Sequence, residues 1–446
     1  MAKNWEELSG ERGQTVATGR LERALKLGGL TAKVTGSALA HTLRKRFGGG
    51  DADATTRAVL DNAERIVKVM GEMKGAAMKV GQLLSADPDL VAPEFADHLS
   101  KLQKSAPPMT FEQVQRQITT SFDRPLHELY RTFESEPLGA ASIGQVHRAT
   151  LFDGREVAVK IQYPGIADTL DSDLKNLASV LSVGRIIVDR ARLDGFIEEA
   201  RSAILNEADY ALEARTLLRF RSMLRGRPGI KVPDPVFELT GRHVLTMEYC
   251  KGEKLDVALN ALPDQEQRDA IVTRFVETFV WMFHDRHVIH ADPHPGNFLL
   301  DDEGNVVLLD FGCTRDFDPE LCDGLLRLLR SFWADDIPLM EQNFRDMGFG
   351  TAGGKFPDHE VMRAYHRLIL EPIRYDAPFS FADWSVHGRI RGFLRENMVM
   401  IRMPPPPGLL LYIRVLAGLK GQMTRMKANI NLRRIAEEAC ARRGIV

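Results

Sequence analysis

His290-Ala291-Asp292-Pro293-His294-Pro295-Gly296-Asn297, followed by Asp310-Phe311-Gly312, decides the reading of this chain. An aspartate, an asparagine five residues on, and a second aspartate that ends the apolar run Val306-Val307-Leu308-Leu309 are the groups that phosphoryl transfer from Mg·ATP requires. One carboxylate orients the acceptor, while an amide and a second carboxylate hold metal ions against the phosphates. Any D-F-G triplet arises by chance. The loop, the spacing and the preceding strand together rarely do.

Such chemistry also needs a cation on the phosphates. Lys160 lies in Glu156-Val157-Ala158-Val159-Lys160-Ile161, where alternation puts Val157, Val159 and Ile161 on one strand face and Ala158 and Lys160 on the other. A lone lysine in a strand is ordinarily a solvated edge residue. Beside the downstream motifs it reads as the group that neutralises α- and β-phosphate charge, provided a carboxylate holds its flexible side chain. Residues 206–213 offer Glu207, Asp209 and Glu213. In one continuous helix Asp209 and Glu213 would share a face, with Glu207 roughly 120° from Glu213, so two cations could be served. A second cation is Lys79, three residues before Gln82 in a helix expected over about 61–86. Gly71, Gly75 and Lys79 form a stripe at spacing four. A helix-interior glycine costs roughly 1 kcal/mol relative to alanine, so the aligned pair points to close approach of another backbone.

The 446 residues are 44% hydrophobic and 27% charged, enough for two or three soluble domains. A net charge of −2 gives no basis for bulk nucleic-acid binding. Cys250, Cys313, Cys322 and Cys440 show neither a C-x-x-C pair nor zinc spacing and read as free thiols. No apolar run reaches the ~20 residues of a membrane span, and the first residues lack an apolar signal core, so a cytoplasmic location is expected. Residues 20–46 carry seven Lys/Arg against Glu22 alone. Two readings stand for them: a solvated or intramolecular helix, or a helix lying on an anionic membrane surface.

Gly48-Gly49-Gly50 reads as a linker, and residues 55–104 as helical until Pro107-Pro108. Thr110 is placed to cap a short helix through about Ser121. Residues 130–165 look strand-like, 166–222 helical, and 242–247 a strand again. Beyond 260 the pattern is helical apart from the catalytic segment, with Pro404 to Pro407 a stiff loop. A small β-rich lobe followed by a larger helical lobe makes the cleft between them the expected nucleotide site. His290 and His294 flank Asp292 and should organise the loop by hydrogen bonds, since a zinc site needs more convergent ligands. His284 and His287 read as helix-end residues, and the Met and Phe residues of 275–283 as core.

At this point the motifs carry a family resemblance. Lys79-Val80-Gly81-Gln82, Gly139-Ala140-Ala141-Ser142-Ile143-Gly144-Gln145-Val146-His147, Lys160-Ile161-Gln162-Tyr163-Pro164-Gly165 and Glu207-Ala208-Asp209 join the 290–297 and 310–312 segments. The chain resembles the UbiB family of atypical protein-kinase-like proteins, closest to its coenzyme Q8-type branch, from about residue 60 to the C-terminus. The resemblance implies an α+β, bilobal, atypical kinase-like fold with an N-terminal helical extension packed on the lobes. It divides the chain into a basic helical segment and linker (1–54), an extension carrying K-x-G-Q (55–125), an N-lobe (126–250) and a helical C-lobe (251–446). By resemblance Lys160 matches the nucleotide-binding lysine, Glu213 its ion-pair partner, Asp292 the catalytic-loop aspartate, and Asn297 and Asp310 the metal ligands. Ala140, Ala141, Ser142, Ile143, Gly144, Gln145 and Val146 form the nucleotide-covering loop. Lys79 and Gln82 pack over the cleft, with Lys79 pairing with Glu207 and Asp209.

The implied ligands are ATP or ADP and Mg²⁺, and the implied role is an ATPase or small-molecule kinase supporting ubiquinone biosynthesis. The alternative is a nucleotide-gated lipid-binding scaffold for quinone-biosynthesis enzymes. Implied partners are quinone-precursor lipids, those enzymes, an anionic inner-membrane surface and a second copy of the chain; nucleic acid is not among them. Two features separate the chain from ordinary protein kinases. The loop is Ala-rich where those have G-x-G-x-x-G, so side-chain methyls should restrict it. No A-P-E segment follows Asp310-Phe311-Gly312, which removes the usual platform for a protein substrate. Gly139 stands where many relatives have alanine, which leaves the preference between ADP and ATP open.

Overall fold

The computed structural model describes residues 109–165 apart from 142, scattered positions between 174 and 205, then 207–350, 356–401 apart from 383, and 407–445. The basic segment, the expected glycine linker, the helix expected over 55–104 with Lys79 and Gln82, Ser142 and most of residues 166–206 from the helical stretch expected over 166–222 lie outside the described residues.

The chain divides into two compact units. The first runs to Arg219 and resumes over Asp234–Tyr249; the second comprises Phe220–Pro233 and Cys250–Val446. In the first, helix α1 (Phe111–Phe122) begins at Thr110, whose hydroxyl accepts from the Gln113 N–H while the Gln113 side chain accepts from the Thr110 N–H. This reciprocal cap is what a Thr-x-x-Gln sequence encodes. A short helix, α2 (Leu126–Leu129), leads to β1 (Thr132–Phe133), β2 (Gly139–Ala141), β3 (Gly144–Thr150) and β4 (Glu156–Gln162). Helix α3 (Tyr210–Leu224) follows and its last residues, with β5 (Ile230–Lys231), belong to the second unit; the first resumes with β6 (Val244–Glu248). Strands β1, β3, β4 and β6 form an antiparallel sheet in that order, with β2 also on β3.

The two faces of β4 do different work. Val157, Val159 and Ile161 are buried on one face, as alternation predicts. His147 and Thr246 stand opposite Val159 in the register, and the Phe133 ring lies 5.3 Å from that of His147. Tyr130 donates to Thr246 Oγ1 (2.8 Å), which itself donates to the Leu239 carbonyl. The opposite face presents Lys160.

The second unit contains β5, then β7 (Glu253–Lys254), α4 (Leu255–Ala261) and α5 (Gln265–Arg286). Next come β8 (Val288–His290), β9 (Phe298–Leu300), β10 (Val306–Leu308) and β11 (Thr314–Asp316). Helices α6 (Pro319–Trp333), α7 (Ile337–Asp346) and α8 (His359–Ile369) precede β12 (Phe379–Ser380), α9 (His387–Glu396) and α10 (Met398–Ile401). The chain ends with α11 (Pro407–Arg425), β13 (Asn429–Ile430) and α12 (Leu432–Arg443).

Helix α5 is the spine. Phe275, Phe279, Met282 and Phe283 are buried, as their helical spacing predicted, and His284 and His287 do end the helix. His287 takes a left-handed C-cap conformation (φ 54°) that turns the chain into β8. Beyond residue 260 the described residues are mostly helical outside the catalytic segment, as the sequence pattern indicates. β5, β10, β9 and β7 form a four-stranded sheet in that order, with β5 parallel to β10. Two-residue strands leave almost no periodicity to read, and pairing with β10 draws Phe220–Pro233 into this unit although the segment precedes β6. The strand expected at 242–247 lies at Val244–Glu248.

Candidate active site

In the first unit Lys160 Nζ lies 2.9 and 3.0 Å from the two carboxylate oxygens of Glu213, in the first turn of α3. Both residues are buried, at 5% and 2% exposure, and the ammonium also lies 5.0 Å from the Tyr210 ring centroid. Ions this far from water persist when paired and hydrogen-bonded, because each alone carries a desolvation penalty of several kcal/mol.

The three acids do not sit on one continuous helix as the sequence pattern suggested. The chain turns at Ala208–Asp209, and α3 starts at Tyr210. Asp209 acts as its cap: Oδ1 accepts from the Leu212 N–H (3.0 Å), and the Asp209 carbonyl accepts from the Glu213 N–H. A short polar side chain that satisfies a backbone donor favours a helix start over a helix interior. Glu207 is buried ahead of this turn.

The loop from 139 to 146 is a hairpin, with Gly139 opposite Val146, Ala140 opposite Gln145 and Ala141 opposite Gly144. The Ile143 carbonyl accepts from the Tyr163 N–H (2.9 Å). Gly144 has no room for a side chain, since an added methyl would overlap the Ile161 carbonyl oxygen and sit 2.8 Å from the Tyr210 hydroxyl. Gly139 has open space around it.

Register separates two members of this loop. Val146 is directly opposite Lys160 and shares its face, while Gln145 is opposite Ile161 on the other. Gln145 joins a buried relay there. The Met109 N–H donates to Gln145 Oε1 (2.7 Å), Gln145 Nε2 donates to His147 Nε2 (2.8 Å), and His147 Nδ1 donates to the Glu134 carbonyl (2.8 Å). A carbonyl can only accept, so the proton sits on Nδ1. Burial holds this imidazole neutral, pushing its pKa down to about 4.

In the second unit the ladder between β8 and β11, with Thr314 opposite His290, brings the 290–297 loop beside Asp310-Phe311-Gly312. The Ala291 N–H donates to the Cys313 carbonyl (2.8 Å). His290 Nε2 donates to the Asp310 carbonyl, and desolvation drives the imidazole pKa down. The ring packs among Phe298, Phe311 and Phe279, and Phe220 lies 5.0 Å from Phe311. His294 also works within the loop, accepting from the Gly296 N–H. Both histidines thus make the loop contacts expected of them.

Asn297 Nδ2 donates to the Asp292 carbonyl (3.0 Å) and to Asp292 Oδ2 (3.1 Å), and Asp310 Oδ1 accepts from the Gly312 N–H (2.9 Å). With Nδ2 engaged, Oδ1 is the Asn297 atom that would serve a cation. Oxygen donors from one amide and one or two carboxylates suit Mg²⁺, which binds few protein groups and completes its shell with phosphate and water. Among the described residues no group of three His, Cys, Asp or Glu converges to hold a metal by itself. A magnesium ion carried in with phosphate needs none.

Sequence reasoning missed Tyr210, Gly418 and Gln422. Gln422 Nε2 donates to the Pro293 carbonyl (2.8 Å), and Gly418 lies against the Pro293 ring. The Gly-x-x-x-Gln spacing on one helix face was the available signal, but nothing local ties it to a loop more than a hundred residues earlier.

A five-stranded antiparallel sheet with a buried Lys–Glu pair and an Asp–Asn/Asp-Phe-Gly unit define a kinase-like fold. Residues 101–343 match the model of the ABC1 atypical kinase-like domain, and the chain belongs to that family. It is 32% identical over 438 residues to the mitochondrial atypical kinase coq-8 of Caenorhabditis elegans, covering 94% of this chain and 57% of that protein. It is 29% identical over 438 residues to the mitochondrial atypical kinase COQ8 of Saccharomyces cerevisiae, covering 96% and 86%. The chain thus spans little more than half of the first relative and most of the second. The solved complex of Rv3197 with erythromycin from Mycobacterium tuberculosis is similar over 87% of this chain and 98% of that one, with 28% identity and a TM-score of 0.61. Among the described residues no helix is long and apolar enough to cross a membrane.

Proposed function

We propose that this chain binds Mg·ATP and acts as an ATPase or small-molecule kinase in support of isoprenoid-quinone biosynthesis, and not as a conventional protein kinase. The carrying observation is the buried Lys160–Glu213 pair. A fixed ammonium of this kind neutralises α- and β-phosphate charge. Asp310 and Asn297 Oδ1 would hold the magnesium ion, which supplies positive charge against the β- and γ-phosphates.

Asp292 would orient the attacking water or hydroxyl and take its proton. The new O–Pγ bond forms as the bond from Pγ to the β-phosphate bridging oxygen breaks, releasing ADP. Asn297, by donating to Asp292 Oδ2, steers the proton to the remaining oxygen. The quinone role rests on the resemblance to coenzyme Q8-type proteins, and quinone-pathway enzymes and precursor lipids are the partners it nominates.

Mg·ATP at 100 times its Kd should stabilise the protein by roughly 2.7 kcal/mol, read as a rise in melting temperature. Asp310→Asn should abolish the shift, and cells with that variant as their sole copy should lose quinone and accumulate precursor. An undiminished shift in Asp310→Asn, or none in the parent protein, would overturn the nucleotide assignment.

A further inference from the structure

The loop bearing Asp292 is held internally by hydrogen bonds among residues 290–297 and to Cys313. Pro293, next to Asp292, has no N–H, so its carbonyl is its one backbone handle. That carbonyl is gripped from helix α11. Gln422, at 2% exposure, donates to it, and Gly418 one turn earlier presents bare backbone to the Pro293 ring. A methyl on Gly418 would overlap Pro293 Cγ.

Glycine inside a helix is disfavoured by about 1 kcal/mol relative to alanine, and close approach of the proline ring is what requires it here. The helix is anchored in turn. Tyr412 stacks on Phe283 of α5 at 3.9 Å, and Asn260 at the end of α4 donates to the Arg425 carbonyl (2.9 Å). Asn429, just beyond α11, donates its N–H to Asp269 of α5 (2.8 Å).

We propose that Gly418 and Gln422 are positioning residues, forming a C-terminal clamp that sets Asp292 through Pro293. This rests on the phosphoryl-transfer reading of Asp292. Removing the clamp leaves Lys160, Glu213, Asn297 and Asp310 in the chain, so nucleotide affinity is retained while Asp292 is misplaced. Displacement of a reacting group by about 1 Å can cost up to roughly 100-fold in rate.

The test uses the full-length chain with Gln422→Leu, Gly418→Ala, Pro293→Ala and the Gly418→Ala/Pro293→Ala double variant. Phosphate release from Mg·ATP, nucleotide Kd and hydrogen exchange of residues 290–298 are measured on each. Gln422→Leu and Gly418→Ala should lower kcat by roughly 10- to 100-fold. Their Kd should stay within about threefold of the parent's, a difference near 0.6 kcal/mol. Exchange in 290–298 should rise. The double variant, with the clashing ring atoms gone, should recover toward Pro293→Ala.

Unchanged kcat, or kcat and Kd worsening together, would overturn the clamp. If the parent neither binds nor turns over nucleotide, the proposed function fails while the exchange arm still decides the clamp: unchanged protection of 290–298 in Gln422→Leu refutes it, and lost protection upholds it.

Discussion

Lys160 and Glu213 meet across 53 residues of sequence with both carboxylate oxygens within 3.0 Å of one ammonium, almost out of contact with water. Breaking a buried pair by removing one partner strands the other charge, at a cost of about 3–5 kcal/mol. Glu213→Gln should therefore lower unfolding stability by that amount in denaturant titrations. Lys160→Met with Glu213→Leu should recover most of the loss while still failing to respond to Mg·ATP. A recovered response in the double variant would remove Lys160 from the nucleotide site.

Gln145 separates structural from ligand roles. Gln145→Leu leaves the Met109 N–H and His147 Nε2 without partners, at about 1–3 kcal/mol for each stranded group. We expect a large fall in melting temperature and little change in nucleotide Kd at a temperature where the variant is folded. A Kd lost at full stability would move Gln145 to the ligand.

Gly144 and Gly139 should behave oppositely. Gly144→Ala drives a methyl into the Ile161 carbonyl and should destabilise the protein by about 1–3 kcal/mol, as overpacking does. Gly139→Ala meets nothing and should be neutral or slightly stabilising by thermal melting. Any change it causes in ADP versus ATP affinity then reports loop chemistry, free of a folding defect.

Acid should weaken the fold. Burial holds His147, His284 and His366 at about 4, against an ordinary 6.5. Between those values the unfolded chain binds protons that the folded chain does not. Stability is therefore complete above about pH 6.5 and falls as pH drops toward 4, by up to about 3 kcal/mol per histidine. Denaturation at pH 7.5 and 5.0 measures the slope. His366→Phe, which keeps an aromatic ring against Phe344 and Phe332, should flatten it by one histidine's share. An unchanged slope would mean that His366 titrates normally.

Much of this was legible in sequence because it is local. The Thr110 cap, the alternating faces of β4 and the helix around Phe275 and Phe279 follow from spacing alone, and each appears in the structure. The 290–297 loop is equally local, with Asn297 reaching Asp292 five residues away. Where the reading slipped, a longer-range choice intervened. Asp209 caps a new helix where unbroken periodicity was expected, and the two-residue strands β5 and β7, which no run of sequence announces, edge the sheet that contains the expected strand at Val306–Leu308.

By itself the sequence determined which groups are present for phosphoryl transfer and in what order, since residue chemistry and short spacings suffice for that. Spacing left three acids open to Lys160 and the family resemblance named Glu213, the one the structure brings to it; only the tertiary structure decided on which face of the sheet Gln145 lies and that Gln422 grips Pro293. Those outcomes depend on strand register and on packing between elements far apart in the chain. Shifting a strand by one residue, or adding one methyl at Gly418, would change them with the motifs left intact.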